Sequence, residues 1–156
     1  IHTELQIRQL YSASKNDLLL QTTDSGQTKL VTLNLRTLRV NTLTTSTIRW
    51  AKMNKENTVV YQNISGEYWK LKDGLHTALS TLNGHTHKKR FVMTDDKLIG
   101  LNSDDFIWQF DLGSAQYKVH KQAPENLIYL TDIKGDILLG KQVISKKKEI
   151  IELSKN

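Results

Sequence analysis

Short apolar runs recur along the chain, each bounded by Asn, Asp, Gly, Lys or Ser. They are Leu18-Leu19-Leu20, Val59-Val60-Tyr61, Lys97-Leu98-Ile99-Gly100-Leu101 and Ile137-Leu138-Leu139. Between them lie alternating stretches such as Leu33-Asn34-Leu35 and Trp69-Lys70-Leu71, the pattern of half-buried strands. Thr, Val and Ile are frequent and suit a pleated surface. Only Lys146–Leu153 also reads as a helix, and it fits a strand equally well. The pattern predicts an all-β chain.

The strands repeat. The residues opening the apolar runs, Asp17, Thr58, Lys97 and Asp136, are spaced 41, 39 and 39 apart. A Leu preceded by a polar residue and followed by a turn occurs at Leu35, Leu71, Leu112 and Leu153, spaced 36, 41 and 41. Arg8, Arg49 and Arg90 precede three of the runs at intervals of 41. Three markers in one order at one period define units of about 7–45, 46–84, 88–123 and 126–156. In the second unit the strands are expected at Ile48–Met53, Thr58–Asn63, Glu67–Lys72 and Leu75–Leu82. In the third they are expected at Arg90–Thr94, Lys97–Asn102, Phe106–Leu112 and Gln116–His120. A repeat of about 40 residues with four short strands is a β-propeller blade. The fourth unit holds three strands, and Ile1–Gln6 is a candidate for its missing outer strand. The four blades make either a small closed ring or half of a larger propeller. A half would leave blade edges open to self-association.

Composition narrows the chemistry. The 156 residues contain no Cys, which removes disulfides, thiolate metal sites and cysteine nucleophiles. No apolar run approaches the roughly 18 residues that span a bilayer. The net charge of +6 raises nucleic acid and anionic lipid as partners. However, the basic residues are dispersed and not interleaved with aromatics. The run Lys146-Lys147-Lys148 is flanked by Glu149 and Glu152 and reads as a solvated turn. No direct nucleic-acid binding is expected, and a membrane enters only through a parent protein.

Several stretches carry a resemblance. Arg49-Trp50-Ala51-Lys52, the Asn54–Asn57 turn and Thr58-Val59-Val60-Tyr61 resemble the TolB-like propeller repeat. Trp108-Gln109-Phe110-Asp111-Leu112-Gly113-Ser114 is similar to a later part of that repeat, and Leu43-Thr44 to its end. Ser, Pro, Asp and Gly of the repeat's Arg-Trp-Ser-Pro-Asp-Gly stretch are all replaced here. Such blades look like those of CadC/ToxR-type regulators. The resemblance implies a periplasmic sensor behind a membrane helix and a cytoplasmic winged-helix domain. A second resemblance competes. Gly84-His85 and Asp104-Asp105-Phe106-Ile107-Trp108 look like parts of a WD repeat, which implies a cytoplasmic scaffold binding peptides.

The candidate ligand-binding residues are Arg8, Arg49 and Arg90. Equivalent positions on successive innermost strands would place three guanidinium groups around one mouth, suited to a carboxylate, a phosphate or an acidic peptide. The alternative is that each pairs with an acid of the adjacent blade. His85-x-His87 has metal-like spacing but no third ligand and a basic neighbourhood. Asp95-Asp96 and Asp104-Asp105 read as turn residues, because adjacent strand residues point to opposite faces. Asn63-Ile64-Ser65 is a glycosylation pattern at an expected turn. Trp50, Trp69, Trp108, Phe91, Phe106 and Phe110 are expected to pack between blades. No nucleophile elbow, phosphate loop or dinucleotide motif is present. The chain is therefore expected to be a non-catalytic sensor or interaction module without a cofactor, binding a protein or a small ligand. A propeller hydrolase or lectin is the remaining alternative.

Overall fold

The structure is a computed structural model and describes residues 5–83, 91–124, 127–134, 137–142 and 148–152. The chain forms two compact units, residues 1–84 and 85–156. The first holds β1 (Gln6–Ala13), β2 (Asp17–Asp24), β3 (Gln27–Asn34) and β4 (Val40–Thr44), followed by β5 (Ile48–Met53), β6 (Val59–Asn63), β7 (Tyr68–Lys72) and β8 (Leu75–Ala78). Each set of four is one antiparallel sheet in sequence order. The second unit holds β9 (Phe91–Met93), β10 (Lys97–Leu101), β11 (Phe106–Asp111) and β12 (Tyr117–Gln122) in one sheet. Its other sheet is β13 (Leu127–Lys134), β14 (Ile137–Gln142) and β15 (Lys148–Glu152). Among the described residues no helix is long and apolar enough to cross a membrane.

Hairpin chemistry fixes the strand ends. Ser25 and Gly26 join β2 to β3 with φ of 47° and 79°, and Asp73 and Gly74 join β7 to β8 with φ of 50° and 77°. These left-handed pairs match the twist of the flanking strands. Longer turns are closed by side chains. The Asn54 Oδ1 accepts from the amides of Glu56 (3.1 Å) and Thr58 (2.9 Å). At the equivalent turns, Ser14 Oγ accepts from Asp17 N and Thr94 Oγ1 from Lys97 N. These three residues are 40 positions apart. Asn63 and Asn102 do the same at the next turn, each accepting from the amide four residues on. Asn63-Ile64-Ser65 is thus a turn, as are Asp95-Asp96 and Asp104-Asp105. Asp111 Oδ1 accepts from the amides of Ser114 (2.7 Å) and Gly113 (2.9 Å). The Ser114 bonds lead in holding its carboxyl below the usual carboxylate range.

The core of the first unit lies between its two sheets. Leu19 and Leu30 of the first sheet meet Ile48, Ala51, Met53, Val59, Tyr61 and Leu71 of the second. The opposite face of the first sheet is buried too, at Leu20, Thr22 and Val31. Polar bonds tie the sheets at their first strands. Ser12 Oγ donates to the Met53 carbonyl at 3.1 Å. The Tyr11 hydroxyl donates to Gln21 Oε1 at 2.8 Å and sits 3.4 Å from the Ile48 carbonyl. In the second unit, Val92, Ile99, Leu101, Ile107, Ala123, Leu130 and Ile151 form one cluster. Trp108 is fully buried beside Phe91, edge-on at 5.2 Å, and Tyr117, stacked at 5.8 Å.

Three expectations are modified. Leu75–Leu82 is not one strand. β8 ends at Ala78, and Ser80–Leu82 form a 3-10 turn that buries Leu79 and Leu82. A three-residue period brings those two leucines to one side, which continued strand would not. Within Lys146–Leu153, the described residues Lys148–Glu152 are strand, with Ile150 exposed and Ile151 buried on alternate faces of β15. Of the aromatics expected between blades, Phe106 is exposed at 37%, whereas Trp69, though only partly buried, packs against the cluster between the two sheets of the first unit. Residues 1–4 lie outside the described residues, and Gln6 opens β1 by pairing with Thr23.

Candidate functional site

The antiparallel sheets bring the turns after β1, β3, β5 and β7 to one end of the first unit. There a cleft of about 370 Å³ opens between the two sheets. Leu43, Val59 and Leu71 contribute its apolar lining. Thr32, Asn41 and Thr42 line it from the first sheet, and Asn57 and His76 from the second. Asp17 at the start of β2 and Asp73 in the β7–β8 turn supply its two carboxylates. Asn57 occupies the left-handed region, with φ of 59°, a conformation that Asn tolerates.

Hydrogen bonds orient this lining. Asp17 Oδ1 accepts from Asn34 Nδ2 at 3.1 Å, and Oδ2 from Asn57 Nδ2 at 3.5 Å. The Tyr61 hydroxyl lies 3.5 Å from His76 Nδ1. Burial pushes the Tyr61 hydroxyl pKa up, opposed by a hydrogen bond with Thr44 and reinforced by Glu67. The site thus presents neutral polar groups and two carboxylates over an apolar floor. Among the described residues no group of three side chains is arranged to hold a metal ion.

The arginines stand at the other end of the strands. Arg8 is the extra residue of a bulge between Ile7 and Gln9, and Arg49 of a bulge between Ile48 and Trp50. The structure therefore brings these two to equivalent register positions on the first strands of neighbouring sheets. Both are exposed. Arg8 Nε donates to Thr23 Oγ1 at 3.3 Å, within its own sheet. Burial raises the Tyr68 hydroxyl pKa, and the Arg49 charge pulls it the other way. Among the described residues neither arginine pairs with an acid. Arg90, and with it His85 and His87, lies outside the described residues.

Sequence reasoning missed the cleft as a site. Asp17 was legible as the start of a strand and Asp73-Gly74 as a turn. Their meeting depends on sheet order, and collecting residues at alternate turns would have found it.

Among the described residues of the second unit, His120 links stability to pH near neutrality. His120 on β12 contacts Gln109 Oε1 at 3.2 Å. Burial, and after it Lys118, Lys97 and Lys121, holds its pKa below the ordinary histidine value. Folding therefore favours the neutral ring. This contribution is complete above the unfolded pKa of about 6.5 and is lost as pH falls through the lower folded value. Urea unfolding between pH 7.5 and 5 is expected to show a stability loss that His120→Gln reduces. Equal slopes in the two proteins would contradict this assignment.

No family model matches the chain, and no curated protein does. Solved structures do. The computationally designed Ika4 protein matches at a TM-score of 0.62 and 16% identity, over 97% of this chain and 94% of its own. TolB from Acinetobacter baumannii matches at 0.50 and 13%, over 94% of this chain and 43% of its own. The WD40 domain of Toxoplasma gondii coronin matches at 0.51 and 13%, over 97% and 46%. The chain spans less than half the length of the last two. These likenesses establish the fold: all-β, built of propeller blades.

Proposed function

We propose that the chain is a non-catalytic interaction module that binds a protein or small ligand in the cleft of its first unit. The cleft itself carries this reading. It combines apolar side chains, a larger share of polar ones and a volume within the range of ligand sites. Its Asp17 carboxylate is engaged by amide donors and its His76 faces a phenol, an arrangement suited to holding a ligand in place. Within a parent protein, the module is the periplasmic part of a membrane-bound winged-helix regulator. The TolB-like residues at Arg49–Tyr61 and Trp108–Ser114 support that placement. The WD-like stretch at Asp104–Trp108 supports a cytoplasmic peptide-binding scaffold as the second reading.

Isotope-labelled chain titrated with a mixed set of peptides and metabolites tests the module. Saturable amide shifts are expected at Asn41, Thr42 and Gly74, with no turnover of the compound. Shifts confined to other regions, or chemical conversion of the ligand, would defeat the proposal.

A further inference from the structure

We propose that the cleft of the first unit takes a lysine or arginine side chain carried on an extended segment of a partner protein. This rests on the interaction-module reading and assigns its ligand chemistry.

Charge decides the sign of the ligand. The chain carries +6, yet the cleft holds two carboxylates, Asp17 and Asp73, and neither Lys nor Arg in its lining. The partners of Asp17 are the neutral amides of Asn34 and Asn57, which orient the carboxylate and leave its charge in place. Among the described residues neither Asp17 nor Asp73 has an ion-pair partner. Arg8 cannot serve as one. It lies by Thr23 at the far end of β2, roughly 20 Å of strand from Asp17, beyond the screening length of about 8 Å at physiological salt. A cation entering the cleft therefore meets two carboxylates that no ion pair occupies among the described residues.

Shape decides the rest. Leu43, Val59 and Leu71 offer apolar surface below the carboxylates. A lysine or arginine has the matching build, a methylene stem carrying a charged head. The source is a protein segment, because the cleft is bordered by outer strands. β4 and β8 each end the strand order of their sheet, so each has one edge without a partner in that sheet. β8 is exposed along its whole length. An extended segment paired to such an edge gains main-chain hydrogen bonds while one side chain enters the adjoining pocket. A volume of about 370 Å³ leaves room for that side chain and flanking groups.

The test is a titration of the labelled chain with three blocked peptides, Thr-Val-Lys-Val-Thr and its acetyl-lysine and glutamate counterparts, and with butylamine. The lysine peptide is expected to shift Thr42, Asn57 and Gly74 saturably and more tightly than butylamine. Acetylation, Asp73→Asn or Asp17→Asn is expected to weaken it about fivefold or more, as loss of a charge-assisted hydrogen bond implies. The acetyl-lysine peptide should be insensitive to Asp73→Asn. Retained amide spectra of both variants exclude unfolding as the cause. Equal binding of the neutral or acidic peptide overturns the cationic assignment. Equal binding of butylamine overturns the protein source. Binding of only unrelated compounds in the cleft overturns both assignments and spares the module reading. Absence of any ligand in the cleft defeats that reading as well.

Discussion

Gly100→Ala is expected to destabilise the second unit by about 3 kcal/mol, at the upper end of ordinary overpacking. An added Cβ would stand 2.4 Å from Trp108 Cζ2 and 2.7 Å from Phe91 Cδ1. Gly100 pairs with Phe91 on one side and Trp108 on the other, so the two rings meet over it. Trp108 cannot simply retreat, because Tyr117 is stacked beside it. The glycine is needed for space. Urea unfolding followed by fluorescence measures the loss. Phe91→Leu in the Gly100→Ala background should recover part of it, since the smaller side chain vacates one side of the contact. A Gly100→Ala protein within about 0.5 kcal/mol of the parent, the usual range for neutral surface changes, would contradict this packing.

Leu19→Ala should cost a similar amount, about 3 kcal/mol, by the opposite mechanism. Leu19 is fully buried between the sheets of the first unit, among Leu30, Ile48 and Val59. Truncation removes buried methyl groups and leaves a cavity that two hydrogen-bonded sheets cannot fully close. Leu10 supplies the control. It lies on the adjoining strand but is 56% exposed, so Leu10→Ala should change stability by less than about 0.5 kcal/mol. Equal losses at the two positions would mean that the sheets do not meet at Leu19.

Much of the fold was legible because its signals are local. Apolar runs gave strands, and the Asn, Asp, Gly, Lys and Ser residues that bound them gave the turns. The period of the arginine marker also had structural content: Arg8 and Arg49 occupy matching bulges. What the period could not convey was that bulge residues leave the ladder and face solvent here. The 3-10 turn at Ser80–Leu82 escaped notice because Leu79 and Leu82 also fit an extended run. The cleft was harder still. Asp17 and His76 are far apart in sequence and meet only because two sheets pack with their alternate turns at one end. Hydrophobic periodicity reports which face is buried, and it carries no term for where two buried faces stop touching.

The side-chain-closed turns also bear on how the chain acquires its structure. Ser14, Asn54 and Thr94 each secure a hairpin using groups no more than four residues away. Among the described residues every pairing within a sheet joins strands adjacent in sequence. Contact order is therefore low for an all-β protein, and loop closure opposes folding less than it does where distant strands must find each other. Each meander can set its own alignment before a neighbour docks. A chain lengthened or shortened by one whole meander would consequently keep the alignment of all the others, which makes the number of blades easier to change than the design of any one of them.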